Sequence, residues 1–338
     1  VQGVPTCADG RTANLNARLA TSGSAIKRIR MNLMRSRIVL CVALFSSFLS
    51  VACGSKSGAA RQPRCGCADQ ENASAPAGGV DVHMHATLPG EGDMSFTPER
   101  ALVAARSVGL QRAVAVGNGY YPNTTEDKCR VENDFLLDAA RKDPARIAAA
   151  IAVPANADWA LQELRRMHGA GARIVKLHAL ASKLDLRTAD GASRFDALLS
   201  EAEALDMTAL VHGNFPGPEH AGEGAALVAL LNRHPKLRVI VAHLLGPDAA
   251  LLPQLTSRRV FADVSGVIHL AVPVQRQLVA ALRAFGVERV LFGSDWPAFH
   301  PAETIHALRE MGLSESELRV ILTNGNRALG DLFQPAKP

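Results

Sequence analysis

Eight short apolar runs recur between residues 80 and 295, and a helical pattern follows all but the sixth of them. This beat limits the fold more than any other feature of the chain. The runs lie at 80–85, 112–116, 147–153, 173–178, 208–212, 238–243, 260–265 and 289–295, the third being rich in alanine. Helical patterns are expected at 98–108, 132–142, 158–168, 193–205, 225–232, 273–285, 302–311 and 315–329. Thr97 followed by Pro98 is a helix start, because proline suits the first turn, where its missing N–H costs nothing. Strand-like runs alternating with helices argue for parallel βα units. At about 30 residues per unit, eight units account for the roughly 250 residues of a (β/α)8 TIM barrel. The competing fold is a doubly wound open sheet, but no Gly-x-Gly-x-x-Gly follows the first run.

In such a barrel the chemistry gathers at the C-terminal ends of the strands. His83 and His85 close the first run, Lys176 lies near the end of the fourth, His212 ends the fifth, His243 the sixth and Asp295 the eighth. Side chains two apart on a strand share a face, so His83 and His85 can aim at one ion. Taken singly, each of these residues has an ordinary structural reading: a hydrogen-bonded histidine, a capping aspartate, a lysine that snorkels. Their common phase in the beat is what points to a site. Imidazoles plus a carboxylate with an open position suit a catalytic divalent metal. His168, His234, His269 and His306 fall in helices or loops and read as structural.

The 338 residues have a sequence pI near 9, which invites a nucleic-acid reading. The excess is local, however. Residues 1–78 hold ten Lys/Arg and three Asp/Glu, and the remainder is slightly acidic, so no basic footprint is expected on the folded part and no nucleic-acid partner. Residues 1–30 read as an upstream extension or mis-start. Residues 31–52 read as a signal peptide, with a basic start and a thirteen-residue apolar run, IVLCVALFSSFLS, shorter than the roughly 20 residues of a membrane span. LSVAC, ending at Cys53, resembles a bacterial lipobox. That resemblance implies lipidation at Cys53 and an exported protein held to a membrane, the outer one being favoured, only through its lipid. Residues 53–78 are a Gly/Ala/Ser/Pro-rich tether, and residues 79–338 the catalytic barrel. Six cysteines are too few for a disulfide scaffold, and the pairing of Cys65, Cys67 and Cys129 is left open.

VDVHMH, IVKLHAL, LVHGN, VIVAHLLG and VLFGSDWP together resemble the amidohydrolase superfamily, in particular its amidohydrolase-2 branch, which includes enzymes like aminocarboxymuconate-semialdehyde decarboxylase. The resemblance implies one divalent metal, Zn2+ before Mn2+, held by His83, His85, His212 and Asp295. It implies His243 as an acid/base or electrophilic group and Asp295 as the base for an activated water. A second arrangement uses a carbamylated Lys176 to bridge two metals, with His243 among the ligands of the second. One metal is favoured, leaving Lys176 to meet an anionic group of the substrate. Asp81 is a candidate to orient a ligand.

Three functions follow. The first is hydrolysis of a C–O or C–N bond in a small cyclic or carboxylated substrate. The second is nonoxidative decarboxylation at the same metal. The third is a surface binding protein without catalysis, which the complete ligand set disfavours. Tyr120 and Tyr121 are expected mainly to pack their loop, Lys176 and Arg187 are candidates to meet a carboxylate, and a homodimer is compatible with the family.

Overall fold

The computed structural model describes residues 78–89, 96–270 and 272–333, including all eight strands. The expectations for residues 1–30, for the signal at 31–52, for lipidation of Cys53 and for nearly all of the tether lie outside the described residues. Cys65 and Cys67 do too, while Cys129 is a buried free thiol.

The strands are β1 (Val80–His85), β2 (Arg112–Val116), β3 (Ile147–Ala152), β4 (Ile174–Leu177), β5 (Thr208–Val211), β6 (Arg238–Val241), β7 (Val260–Asp263) and β8 (Val290–Leu291). They pair in chain order, each parallel to the next. The ring closes from β8 to β1 through Val82 N–H to Phe292 O (2.9 Å), Asp295 N–H to His83 O (2.9 Å) and His85 N–H to Trp296 O (2.6 Å). This is the expected (β/α)8 barrel. Eight α-helices are described: α1 (Pro98–Ser107), α2 (Glu126–Lys142), α3 (Ala160–Gly169), α4 (Ala189–Ala204), α5 (Glu223–Asn232), α6 (Val272–Phe285), α7 (Pro301–Glu310) and α8 (Glu315–Leu329).

Two apolar layers hold the barrel. A larger one fills the space between strands and helices. A smaller one, with Val116, Ala150, Ile174, Leu210, Ile240 and Leu291, fills the barrel itself. A parallel sheet covered on both faces has strands buried throughout, and β3, β4 and β5 are buried at every position. The alanines of β3 do not weaken it, since burial on both sides replaces strand propensity.

Element ends differ from the sequence reading. α2 starts six residues earlier than expected, where Thr125 Oγ1 accepts from Lys128 N–H and two acidic residues follow in the first turn. Strands β4 to β8 stop short of the polar residues that close their apolar runs. Between β6 and β7, residues Ala242–Gln254 form short helical turns, and His243, Leu244 and Leu245 take left-handed φ of 61°, 51° and 61°. Asp295 is left-handed as well, with φ 67°. A left-handed backbone costs an ordinary residue about 1–2 kcal/mol. The expense falls just past the strands, where it swings His243 and Asp295 over the mouth.

Candidate metal centre and active site

The C-terminal mouth of the barrel opens into a cavity of about 650 Å3 whose lining includes His85, Lys176, His178, His212, His243 and Asp295. His83 lies beneath them, fully buried. His83, His85, Lys176, His212, His243 and Asp295 therefore meet at one place.

On the β1–β8 side, His83 and His85 converge on one carboxylate oxygen. Asp295 Oδ1 lies 3.6 Å from His83 Nε2 and 3.3 Å from His85 Nε2. One ligand atom from each of these three residues can be chosen so that all lie within 4.8 Å of one another. The register of β1 against β2 slips between Asp81 and Met84, so the alternation that sets His83 and His85 on one face does not extend back to Asp81. Asp81 does not reach an imidazole. Its Oδ1 accepts from the backbone N–H of His83 (3.2 Å) and of Ser294 (3.1 Å), clamping β1 to the segment after β8. Its Oδ2 is buried without a partner among the described residues, and burial pushes the carboxyl up to about 7 against the pull of its Ser294 and His83 hydrogen bonds.

Asp263 and Ser265, at the end of β7, complete this side. Asp263 Oδ2 lies 3.1 Å from His83 Nδ1, and Asp263 Oδ1 accepts from Ser265 Oγ at 2.5 Å. The Ser265 hydroxyl also lies 2.9 Å from His83 Nδ1 and 3.0 Å from His243 Nδ1. A carboxylate only accepts, so His83 carries its proton on Nδ1 and turns the Nε2 lone pair to the mouth. Gly293 makes the arrangement possible, since a Cβ there would stand 3.0 Å from His83 Cβ and 3.3 Å from Asp263. Burial and the neighbouring Lys176 amine lower His83 to about 4, so the ring is neutral at pH 7. Burial alone would raise Asp263 and Asp295. Hydrogen bonds and charge from the imidazoles override it and hold both well below the usual carboxylate range.

On the β4–β6 side the imidazoles that line the cavity, His178, His212 and His243, take backbone partners instead of carboxylates. Lys176, 1% exposed, reaches His83 Nε2 with its Nζ at 3.0 Å, and burial lowers it to about 8. His212 and His243 are fixed by backbone carbonyls: His212 Nε2 to Asn214 O (2.7 Å) and His243 Nδ1 to Ser265 O (2.9 Å). Those nitrogens carry the protons, so the lone pairs of His212 Nδ1 and His243 Nε2 face each other at 3.1 Å. Burial depresses His212 well below the ordinary histidine value, followed by the field of His178 and His243.

The donor set fits a divalent cation. Two opposed lone pairs repel unless a cation or proton lies between them, and His85 Nδ1 is buried with no partner among the described residues. His83, His85 and Asp295 form the compact group, while His212 stands outside it, against His243. A second compact group, His83, His243 and Asp263, is already saturated by its own hydrogen bonds and acts as a brace.

Three residues of the mouth went unassigned in the sequence. Asp263 and Ser265 end the seventh run at the phase used for the others. His178 follows Lys176 by two, which places it on the same face of the chain. Its ring stacks on His212 at 3.6 Å and 14°, with Tyr120 at 4.9 Å. Tyr120 is buried and packs the loop as expected, its hydroxyl donating to Asn118 Oδ1, while Tyr121 is half exposed on the cavity rim. Arg187 is taken up by Asp185 (2.7 Å) and Ala221 O and does not line the cavity. His234 is structural, bonded to Asp196 at 2.9 Å.

A family model described as amidohydrolase matches residues 80–324. No curated protein matches the chain at a significant level. Among solved structures, a candidate 2-pyrone-4,6-dicarboxylic acid hydrolase from Pseudomonas putida is 20% identical, with a TM-score of 0.56 over 77% of this chain and 100% of its own. A 5-carboxyvanillate decarboxylase from Sphingomonas paucimobilis is 13% identical, with a TM-score of 0.57 over 75% and 99%. A dihydroxybenzoic acid decarboxylase from Polaromonas sp. JS666, holding manganese and the inhibitor 2-nitroresorcinol, is 17% identical, with a TM-score of 0.54 over 78% and 98%. At these identities the likeness is one of fold.

Proposed function

The chain belongs to the amidohydrolase family, and from that premise we propose that it hydrolyses a C–O or C–N bond of a small, cyclic, carboxylated substrate with one divalent metal at the barrel mouth. The observation that carries this reading is the convergence of His83, His85 and Asp295 beside the cavity. Their nitrogen and oxygen donors, with His212 as the fourth, suit Zn2+ first and admit Mn2+, the ion held by the Polaromonas decarboxylase. When bound, the ion supplies Lewis acidity and a water whose pKa falls from about 15.7 toward about 7.

The residues divide the remaining work. Asp295 stays a carboxylate across the working pH range, so it holds and orients. A carboxyl so far below its ordinary value stores a proton poorly. His243 is the better proton carrier. Its Nδ1–H is given to Ser265 O, which leaves Nε2 to accept a proton and return it to the leaving group. Lys176 brings a buried positive charge to the cavity wall for a substrate carboxylate. A carbamylated Lys176 bridging two ions is the lesser arrangement, because Nζ is engaged with His83.

Decarboxylation is the second reading, supported by the fold shared with two enzymes named as decarboxylases. Metal analysis of the full chain beside a His83→Ala/His85→Ala variant tests the centre: near one ion per chain is expected, lost in the variant. Incubation with 2-pyrone-4,6-dicarboxylate, 2,6-dihydroxybenzoate and 5-carboxyvanillate separates the reactions. Oxygen from labelled water in the product marks hydrolysis and CO2 release marks the lyase. A folded chain that takes up neither Zn2+ nor Mn2+ sinks both. Export on a lipid remains part of the proposal, and palmitate labelling abolished by Cys53→Ala checks it.

A further inference from the structure

Among the imidazoles of the mouth, the partner of the outward-facing nitrogen decides what each ring offers the cavity. For His83 the partner is the Asp263 carboxylate, for His212 the Asn214 carbonyl and for His243 the Ser265 carbonyl. All three partners only accept, so all three rings turn a lone pair inward. His178 is wired the opposite way. Its Nδ1 accepts the backbone N–H of Ala181 at 3.2 Å, which requires an unprotonated Nδ1 and places the proton of the neutral ring on Nε2.

We infer that His178 is a hydrogen-bond donor to the substrate, its Nε2–H binding a carboxylate or carbonyl oxygen on the β4 side of the mouth. This deepens the proposed function and rests on it. A metal ligand needs a lone pair, and His178 has spent its own on Ala181, so its place beside His212 is not a further ligand position. Its ring lines the cavity, and Nε2 has no partner among the described residues. The orientation is fixed from two sides: the face lies on His212 at 3.6 Å, and Tyr120 stands at 4.9 Å. Lys176 precedes it by two residues and lines the same cavity, so one face of β4 and its extension presents an ammonium and then a neutral N–H. A carboxylate or a polarised ester carbonyl is the group that takes both.

Two measurements test it. Long-range 1H–15N correlation on histidine-labelled full chain reads the tautomer without turnover, with the His178 signals assigned by their loss in His178→Phe. A neutral ring protonated on Nε2 is expected. Protonation on Nδ1 or on both nitrogens at pH 7.5 overturns the inference whether or not the enzyme is active. The Phe variant keeps a flat ring on His212 and removes the donor, while His178→Gln restores an N–H. Against whichever of the three substrates above the wild type turns over, kcat/KM is expected to fall about 10²-fold in the Phe variant and to return within about tenfold of wild type in the Gln variant, at unchanged metal content. Wild-type kcat/KM in the Phe variant, or a loss that follows loss of metal, overturns it. If the wild type turns over none of the three, the proposed function fails separately. The inference is then decided by benzoate, which must shift the His178 Nε2–H resonance; an unmoved resonance overturns it.

Discussion

The two halves of the barrel mouth solve the same problem with opposite means. Around β1, β7 and β8, His83 and His85 contact carboxylates and the hydrogen bonds run through side chains: Asp263 and Ser265 behind, Asp295 in front. Around β4, β5 and β6, the imidazoles of His178, His212 and His243 are oriented instead by the backbone at Ala181, Asn214 and Ser265. The first half fixes negative charge where a cation is to be held. The second presents neutral rings and one buried amine, whose charged forms burial disfavours. A mouth built this way can anchor a cation on one side, with His212 reaching it from the other as the proposed fourth ligand, and leave His243 and Lys176 to handle protons and substrate oxygens.

The largest effect that would break this contrast is expected from Asp295→Asn. It removes the carboxylate shared by His83 and His85, and should lower turnover by about 10³-fold or more with loss of metal and little change in unfolding temperature. Metal content and kcat measured together check it; an active, metal-loaded variant would remove the carboxylate half from the chemistry. His243→Gln comes next. It should cost about 10²–10⁴ in kcat while the metal stays, if His243 carries a proton, as proposed, rather than holding the ion. Metal loss in that variant would merge the two halves into one cage.

Asp263→Asn is milder and sharpens the comparison from behind. The amide cannot hold His83 in one tautomer as a carboxylate does, and metal affinity should drop by about 10–100-fold. Titration with a chelator of known strength reads it.

The smallest expected effect is Asp81→Asn. The carboxyl rises from its ordinary 3.8 to about 7 on folding. Between those values the folded chain holds a proton that the unfolded chain has released, so this group's contribution to stability falls as pH rises from about 4 to about 7 and stays low above. Asn keeps an acceptor for the His83 and Ser294 N–H groups without the charge. Its unfolding temperature relative to wild type should therefore rise steadily across that window. The opposing contribution of His83 is common to both proteins and cancels, and a difference independent of pH would refute the assignment.

Much of the barrel could be read from the chain because burial repeats with the period of the fold. The boundaries of β1, β2 and α8 are the ones expected from apolar pattern alone. The ends of β4 to β8 are not, because His212, His243 and Asp295 leave the strands to face the mouth, two of them in left-handed backbone that no local pattern announces. Asp263 was hidden for a different reason. An aspartate closing an apolar run looks like any strand end until His83, 180 positions away, is found at its oxygen. His178 carried the right phase, but Lys176 beside it drew the chemistry.

The sequence by itself determined the eightfold βα beat and the gathering of His83, His85, Lys176, His212, His243 and Asp295 at one end of it, since strand periodicity and chain direction are local properties. Only the tertiary structure decided which nitrogen of each ring carries its proton. That depends on whether the group behind the ring is a carboxylate, a carbonyl or an N–H, and such neighbours come from distant strands and from the turn of the backbone just past a strand's end.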